Sequence, residues 1–305
     1  MELRTLRSFL AVAREGNVTR AAATLHITQP ALSRQLSELE REFGCELLIR
    51  SARGVTLTDE GMLLRKRAEE IVGLADRTEL EIRSPTAQVE GDVWVGGGES
   101  RAMEVIARTT VRLRQLHPRV RLRLHSGNAD DVLERVDKGL LDFGVTLGRE
   151  PGGHHESLVL PHRDSWGVLM RADHPLAQRK ELTLADLCGE SLIVSSQSHD
   201  AHEGAASTTP AFYEGKGLDI VATHTLLYNA SLLVEQGLGV CVTLGGLVAT
   251  GEGTAFAFVP LTDLEPLTAR VVWKRYQPMS RAALEFLRVL RSEVGAADKR
   301  EAARR

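Results

Sequence analysis

The chain has 305 residues, 43% hydrophobic and 26% charged, with 38 basic against 41 acidic side chains and a net charge of −3. At about 150 residues per domain that length predicts two domains, and the composition is that of a globular protein, which excludes disordered, collagenous and membrane-embedded chains. Three scattered cysteines (Cys45, Cys188, Cys241) make neither a disulfide framework nor a metal site, so they read as buried thiols in a reducing compartment. Arg4, Arg7 and Arg14 interrupt the apolar N-terminus, which leaves no signal-peptide core. The longest uncharged run, Gln236 to Gly251, holds five glycines and falls short of a membrane span. A cytoplasmic chain without membrane contact is expected.

The first 84 residues read as helix after helix. Leu3, Leu6, Leu10 and Ala13 form one stripe, with Phe9 beside it, and Gly16-Asn17 ends that helix. A second, short helix runs from Thr19, as its cap, through Ala21, Ala22, Ala23 and Leu25, and His26-Ile27 is the turn. Thr28 caps a third helix with Pro30 in its first turn, a core stripe of Leu32, Leu36, Leu39 and Phe43, and Gly44 past its end. A short helix, a tight turn and a longer helix packed on a preceding one make a helix-turn-helix.

The third helix leaves Gln29, Ser33, Arg34 and Gln35 outside its stripe, on the half that enters a major groove. Gln pairs with adenine and Arg with guanine, while the Thr28 hydroxyl and the helix amides suit phosphate. Glu38, Glu40 and Glu42 are confined to the second half, away from phosphates, and residues 1–58 carry 8 basic against 6 acidic side chains. The alternative is a solvated polar face on a structural three-helix unit. Leu47–Arg50 and Val55–Leu57 then form a hairpin around Ser51–Gly54, a wing projecting Arg50 and Arg53 toward phosphates or a minor groove.

The stretch from Ala21 to Gly61 resembles the N-terminal signature of LysR-type transcriptional regulators. It supplies Ala22, Gln29, Pro30, Ala31, Leu32, Ser33, Leu39, Glu40, Gly44, Leu47, Arg50, Leu57, Thr58 and Gly61, and departs at Leu48, where the family usually has Phe. The resemblance implies a winged helix-turn-helix over residues 1–58 that binds double-stranded promoter DNA. A heptad-like set follows, Leu57, Gly61, Leu64, Ala68, Ile71, Ala75, Thr78 and Ile82, which favours a two-helix seam. In the family the corresponding linker helix (59–84 here) pairs with its twin, implying a homodimer or a homotetramer. Small residues at Gly61, Ala68 and Ala75 are expected to let the two backbones approach, and Pro85 ends the helix.

Beyond Pro85, strands and helices alternate as β-α-β-α-β through Gly91–Gly96, Val120–Leu124 and Phe143–Leu147. A second lobe is expected over about 164–262, with return to the first lobe (91–163 and 263–292) through Ala269–Trp273 and the Ala282–Leu290 helix. Asp173–Ala177 and Gly237–Val240 resemble segments of the same family's effector domain, which is like a periplasmic binding protein, although Leu244 stands where proline is usual. The expected fold is therefore α/β overall: an all-α winged domain, a linker helix, and a two-lobed α/β effector domain over 91–305. Ser100, Asn128, Thr146, Ser196 and Asn229, each near a strand end or helix start, are the expected cleft residues, with His199 and His202 as pocket wall. Hydroxyls, amides and helix dipoles suit a small anion as effector. Gly96–Gly98 fail the GxGxxG spacing and read as room for a ligand approaching the Ser100 helix end. His154, His155 and His162 read as surface-loop histidines, without metal-ligand spacing.

No nucleophile motif, cofactor motif or metal cluster is found, so the chain reads as a ligand-responsive regulator and not an enzyme, with RNA polymerase as a candidate further partner. A transport binding protein would lack the first 58 residues; an enzyme with an accessory helical domain would need a catalytic motif.

Overall fold

The computed structural model describes residues 1–51, 54–83, 89–150, 152–196 and 217–302. They form two compact units, Met1–Pro85 and Thr86–Arg305. In the described residues no helix is long and apolar enough to cross a membrane.

The first unit contains α1 (Leu3–Glu15), α2 (Val18–Thr24), α3 (Gln29–Phe43), the hairpin β1 (Leu48–Ser51) and β2 (Gly54–Leu57), and α4 (Asp59–Arg83). Its core is Phe9, Val12, Ala21, Ala22, Leu32, Leu36, Leu39, Leu47 and Leu48. The α1 stripe is rotated from the expected one. Leu3 is exposed, and Leu6, Phe9 and Val12 are buried, because α1 is covered on two sides: by α2 and α3, and by α4 through Leu6, Leu10, Leu64, Ala68 and Val72. Phe43, expected in the core, is 46% exposed in the last turn of α3. The cap of α2 is Asn17, whose side chain accepts from Arg20 N, and not Thr19.

Two glycines of this unit answer to its own packing. Gly54 has φ +131°, and a Cβ there would meet the Gly16 carbonyl oxygen at 2.6 Å, the same oxygen that accepts from Val55 N. Gly61 lets α4 cross the chain at Leu47, since a Cβ would sit 2.1 Å from the Leu47 carbonyl oxygen. The close approach expected of Gly61 between two protomers is thus already used within one chain.

The second unit is two five-stranded sheets. Lobe I holds β3 (Gly91–Gly97), α5 (Met103–Leu116), β4 (Val120–Ser126), α6 (Ala129–Asp137), β5 (Phe143–Leu147) and β6 (His155–Asp164). It is completed by β12 (Leu267–Lys274) and α8 (Arg281–Ala302), with strand order β4-β3-β5-β12-β6. β3 runs parallel to β4 and β5, whereas β12 lies antiparallel between β5 and β6. Lobe II holds β7 (Trp166–Arg171), β8 (Ser191–Ser195), β9 (Asp219–His224), α7 (Leu227–Glu235), β10 (Val240–Leu244) and β11 (Phe256–Pro260), in the order β11-β7-β10-β8-β9.

Each lobe has its own core, built around Val95, Ile106, Phe143 and Phe286 in the first and Val168, Met170, Val194 and Val242 in the second. The chain passes between them twice, at β6–β7 and β11–β12. Gly96 and Gly144 let α6 pack on the sheet: added Cβ atoms would meet Leu141 Cδ1 at 2.4 Å and Val132 Cγ1 at 2.6 Å. Packing, and not ligand approach, therefore accounts for Gly96. His155 and His162 belong to β6 instead of a loop.

Candidate nucleic-acid interface and ligand cleft

In the first unit α3 presents the expected residues. The Thr28 side chain accepts from Ala31 N, and Pro30 occupies the first turn, where its missing N–H costs nothing. Thr28, Gln29, Pro30 and Arg34 are exposed and Ser33 is half-buried. Gln29 Nε2 donates to Ser33 Oγ at 2.9 Å, pre-ordering one side chain against the other. Gln35 sits further in: its Oε1 accepts from the nearly buried Ser8 hydroxyl at 3.0 Å, which leaves its amide N–H groups for contact outward.

Arg50 is exposed on β1, paired in register with Val55; Arg53 lies outside the described residues. The sequence reading missed Glu40. Its Oε1 accepts from both Leu47 N (3.0 Å) and Leu48 N (3.1 Å), tying the start of the wing to the back of α3. The signal is a Glu following a buried Leu late in a helix; the sequence places Glu40 in the family signature and among the acids kept off phosphate, without this tie to the wing.

In the second unit a cleft of about 360 Å³ opens between the lobes. Gly98, Glu99, Ser126, Gly127, Asn128, Asp131 and Leu147 line it from lobe I, and Trp166, Ser195, His224, Thr225, Leu226 and Thr243 are among those from lobe II. Of the expected residues that are described, only Asn128 is in this wall; its Oδ1 accepts from Asp131 N at 2.8 Å, capping α6. Thr146 is buried one residue short of it, with its hydroxyl unpartnered, and Leu147 reaches the cleft instead. Ser195 takes the place expected of Ser196; Asn229 is exposed on α7, and Leu226 and Leu227 line the wall in its stead. His199 and His202 lie outside the described residues.

Ser100 departs furthest from expectation. It is buried, its hydroxyl donates to Asp164 Oδ2 at 2.7 Å and accepts from Ala102 N at 2.9 Å, and the α-helix begins only at Met103. Asp164 also takes the Arg101 N–H, so a carboxylate of the chain itself stands at the helix start expected to receive an anion.

The electrostatics of the cleft come from three groups that the sequence reading did not single out. Glu99 Oε2 accepts from Leu227 N at 2.5 Å, so a lobe I carboxylate caps lobe II's α7, whose own N-cap residue, Leu226, makes no side-chain cap bond. Burial pushes the Asp131 carboxyl up, but hydrogen bonds from His125 and Arg135 outweigh that and hold it below the usual range. Burial pushes the His224 imidazole down, and its Nδ1 is buried without a partner. Behind it, 3.5 Å from His224 Nε2, burial holds the Cys241 thiol up at about 12, so it is an inert core group; of the other cysteines expected to be buried, Cys45 is half-buried and Cys188 is exposed. Among the described residues no group of three or more His, Cys, Asp or Glu could hold a metal ion.

Residues 3–62 match the model of bacterial regulatory helix-turn-helix proteins of the LysR family, and residues 86–295 match the LysR substrate binding domain. The chain belongs to the LysR family. This LysR-family protein is a DNA-binding transcriptional regulator with an effector-binding domain, and not an enzyme. It is 30% identical over 298 residues to the Hca operon transcriptional activator HcaR of Escherichia coli, covering 96% of this chain and 98% of that one. To the regulator BenM of Acinetobacter baylyi it is 29% identical over 285 residues, 88% of each chain. Among solved structures, full-length CbnR in complex with its target DNA superposes with a TM-score of 0.72 at 20% identity, over 96% of this chain and all of that one, which shows the shared fold.

Proposed function

We propose that this LysR-family regulator reads a palindromic promoter site in the cytoplasm as a homo-oligomer, and that a small molecule held between the lobes of its second unit sets its activity. The observation that carries the DNA reading is the partition of α3. Thr28, Gln29, Ser33 and Arg34 face outward on its first half, while the acid nearest the wing, Glu40, is spent on backbone N–H groups. The test uses the full chain and a site selected from a random duplex library. Arg34→Ala is expected to cost about 1–3 kcal/mol on the selected site and to relax base preference, whereas Arg50→Ala weakens selected and random DNA alike and lowers the salt slope. Equal losses on both DNAs for Arg34→Ala would count against base reading.

Self-association is supported by the solvent side of α4, where Leu63, Ile71, Leu74 and Ile82 are all exposed, Ile82 at 77%. One helix-turn-helix reads half a palindrome, so a paired helix of this kind suits the task. Within the stripe expected from the sequence, Leu64 and Ala68 face α1 of the same chain, which leaves Ile71, Ala75 and Ile82 for a partner, with Leu57 beside the wing. Ile71→Asp places like charges in an apolar seam and is expected to yield monomers in sedimentation; a dimer that sediments unchanged refutes the seam. RNA polymerase remains the candidate partner downstream.

The expectation of an anionic effector rested on hydroxyls, amides and helix dipoles. With Asp164 at the start of α5 and Glu99 at the start of α7, the helix-end part of that support is withdrawn.

A further inference from the structure

We propose that the cleft takes a small molecule carrying a cationic amine on an apolar body, with the Glu99 carboxylate as its counter-charge; this rests on the reading of the cleft as the ligand site. Among the described lining residues the charged side chains are Glu99 and Asp131, and neither Lys nor Arg is present. Asp131 is answered by His125 and Arg135. Glu99 meets no cationic side chain in its described contacts: its Oε2 accepts from Leu227 N, and the residue lines the cleft.

Each helix start around the site already faces an acceptor of this chain. Asp164 takes the Arg101 N–H before α5, Asn128 caps α6, and Glu99 caps α7. A ligand carboxylate would compete with these acceptors and would sit against like charge, whereas an ammonium finds an acceptor. His224, with burial favouring its neutral form, adds no positive charge to offset this. The remaining wall sets the apolar Leu147, Val242, Leu244, Leu247 and Leu267 beside the hydroxyls of Ser126, Ser195, Thr225 and Thr243, with the Trp166 indole among them, and an indole attracts a cation. The volume, about 360 Å³, admits an aryl-alkyl amine. Glu99 also joins the lobes through Leu227 N, so an amine held there acts on a contact between them.

The test is calorimetry on the full chain with three probes that share a phenethyl body: phenethylamine, phenylpropanoate and phenethyl alcohol. Phenethylamine is expected to bind about tenfold or more tighter than phenylpropanoate, with the alcohol between. Glu99→Gln keeps an oxygen for Leu227 N but removes the charge; it should cut amine affinity about tenfold and leave the alcohol unmoved. Ser126→Trp and Thr225→Trp, at exposed positions on opposite walls, should each abolish binding of the amine. No amine binding at millimolar concentration, phenylpropanoate binding as tightly as the amine, or an amine affinity indifferent to Glu99→Gln overturns the amine assignment and leaves the cleft reading standing. Amine binding that survives both tryptophan blocks overturns the cleft reading itself.

Discussion

Replacing Gly61 by alanine is expected to destabilise the first unit by about 3 kcal/mol and to abolish DNA binding, while the second unit unfolds as before. A methyl group there would lie 2.1 Å from the Leu47 carbonyl oxygen and 3.1 Å from its carbon, and both atoms are backbone. Leu47 cannot step aside, because its N–H is held by Glu40 and its carbonyl oxygen accepts from Thr58 N. Relief therefore requires α4 to move off the wing. Twelve residues along the same helix, Gly73 has open space around its missing side chain. Gly73→Ala should stabilise by about 0.5–1 kcal/mol, since only helix propensity changes. Thermal unfolding of the two variants should move in opposite directions; a Gly61→Ala protein melting with the parent would remove the packing argument.

Asp164→Ala should be the corresponding lesion in the second unit, at about 3–5 kcal/mol. The carboxylate is 1% exposed and is the acceptor for the Ser100 hydroxyl and the Arg101 N–H, with His162 Nε2 at 3.5 Å. Alanine leaves those donors buried beside a cavity, and each orphaned donor costs about 1–3 kcal/mol. Asp164→Asn retains one acceptor and should lose about half as much. Denaturant unfolding of the full chain checks this through the midpoint of the second unit's transition. Equal stability of the alanine variant and the parent would mean that water replaces the carboxylate freely.

Local signals were the legible part of this molecule. Thr28, Pro30 and Gly44 mark α3 because capping chemistry is written within a few residues, and the α/β alternation of the second unit follows from runs of apolar residues at short range. Apart from local shifts such as Asn17 for Thr19, the larger misreadings share one physical cause: a partner far away in the chain. Ser100 looks like a helix cap until Asp164, 64 residues later, takes its hydroxyl. Gly61 looks like a dimer-contact glycine until Leu47 is placed beneath it. β6 carries Pro161, His162 and Arg163, so its alternation is broken and only its pairing with β12 identifies it as a strand. Glu99 gives no signal at all, since its acceptor role depends on a helix 128 residues away. Asp131 could have been found, three residues after Asn128 in the spacing of a capped helix.

The place of β12 has a consequence for how the chain is made. That strand is inserted between β5 and β6, yet the whole of lobe II separates it from them in sequence. As synthesis proceeds, lobe I emerges with a slot in the middle of its sheet, and β5 and β6 wait with unpaired edges until residues beyond 266 leave the ribosome. Lobe II, continuous from β7 to β11, closes first. The last long-range pairing to form is therefore the one that joins β5 to the edge strand β6 through β12, which makes the folding of lobe I slow and gives chaperones a defined window in which an open strand edge is on offer.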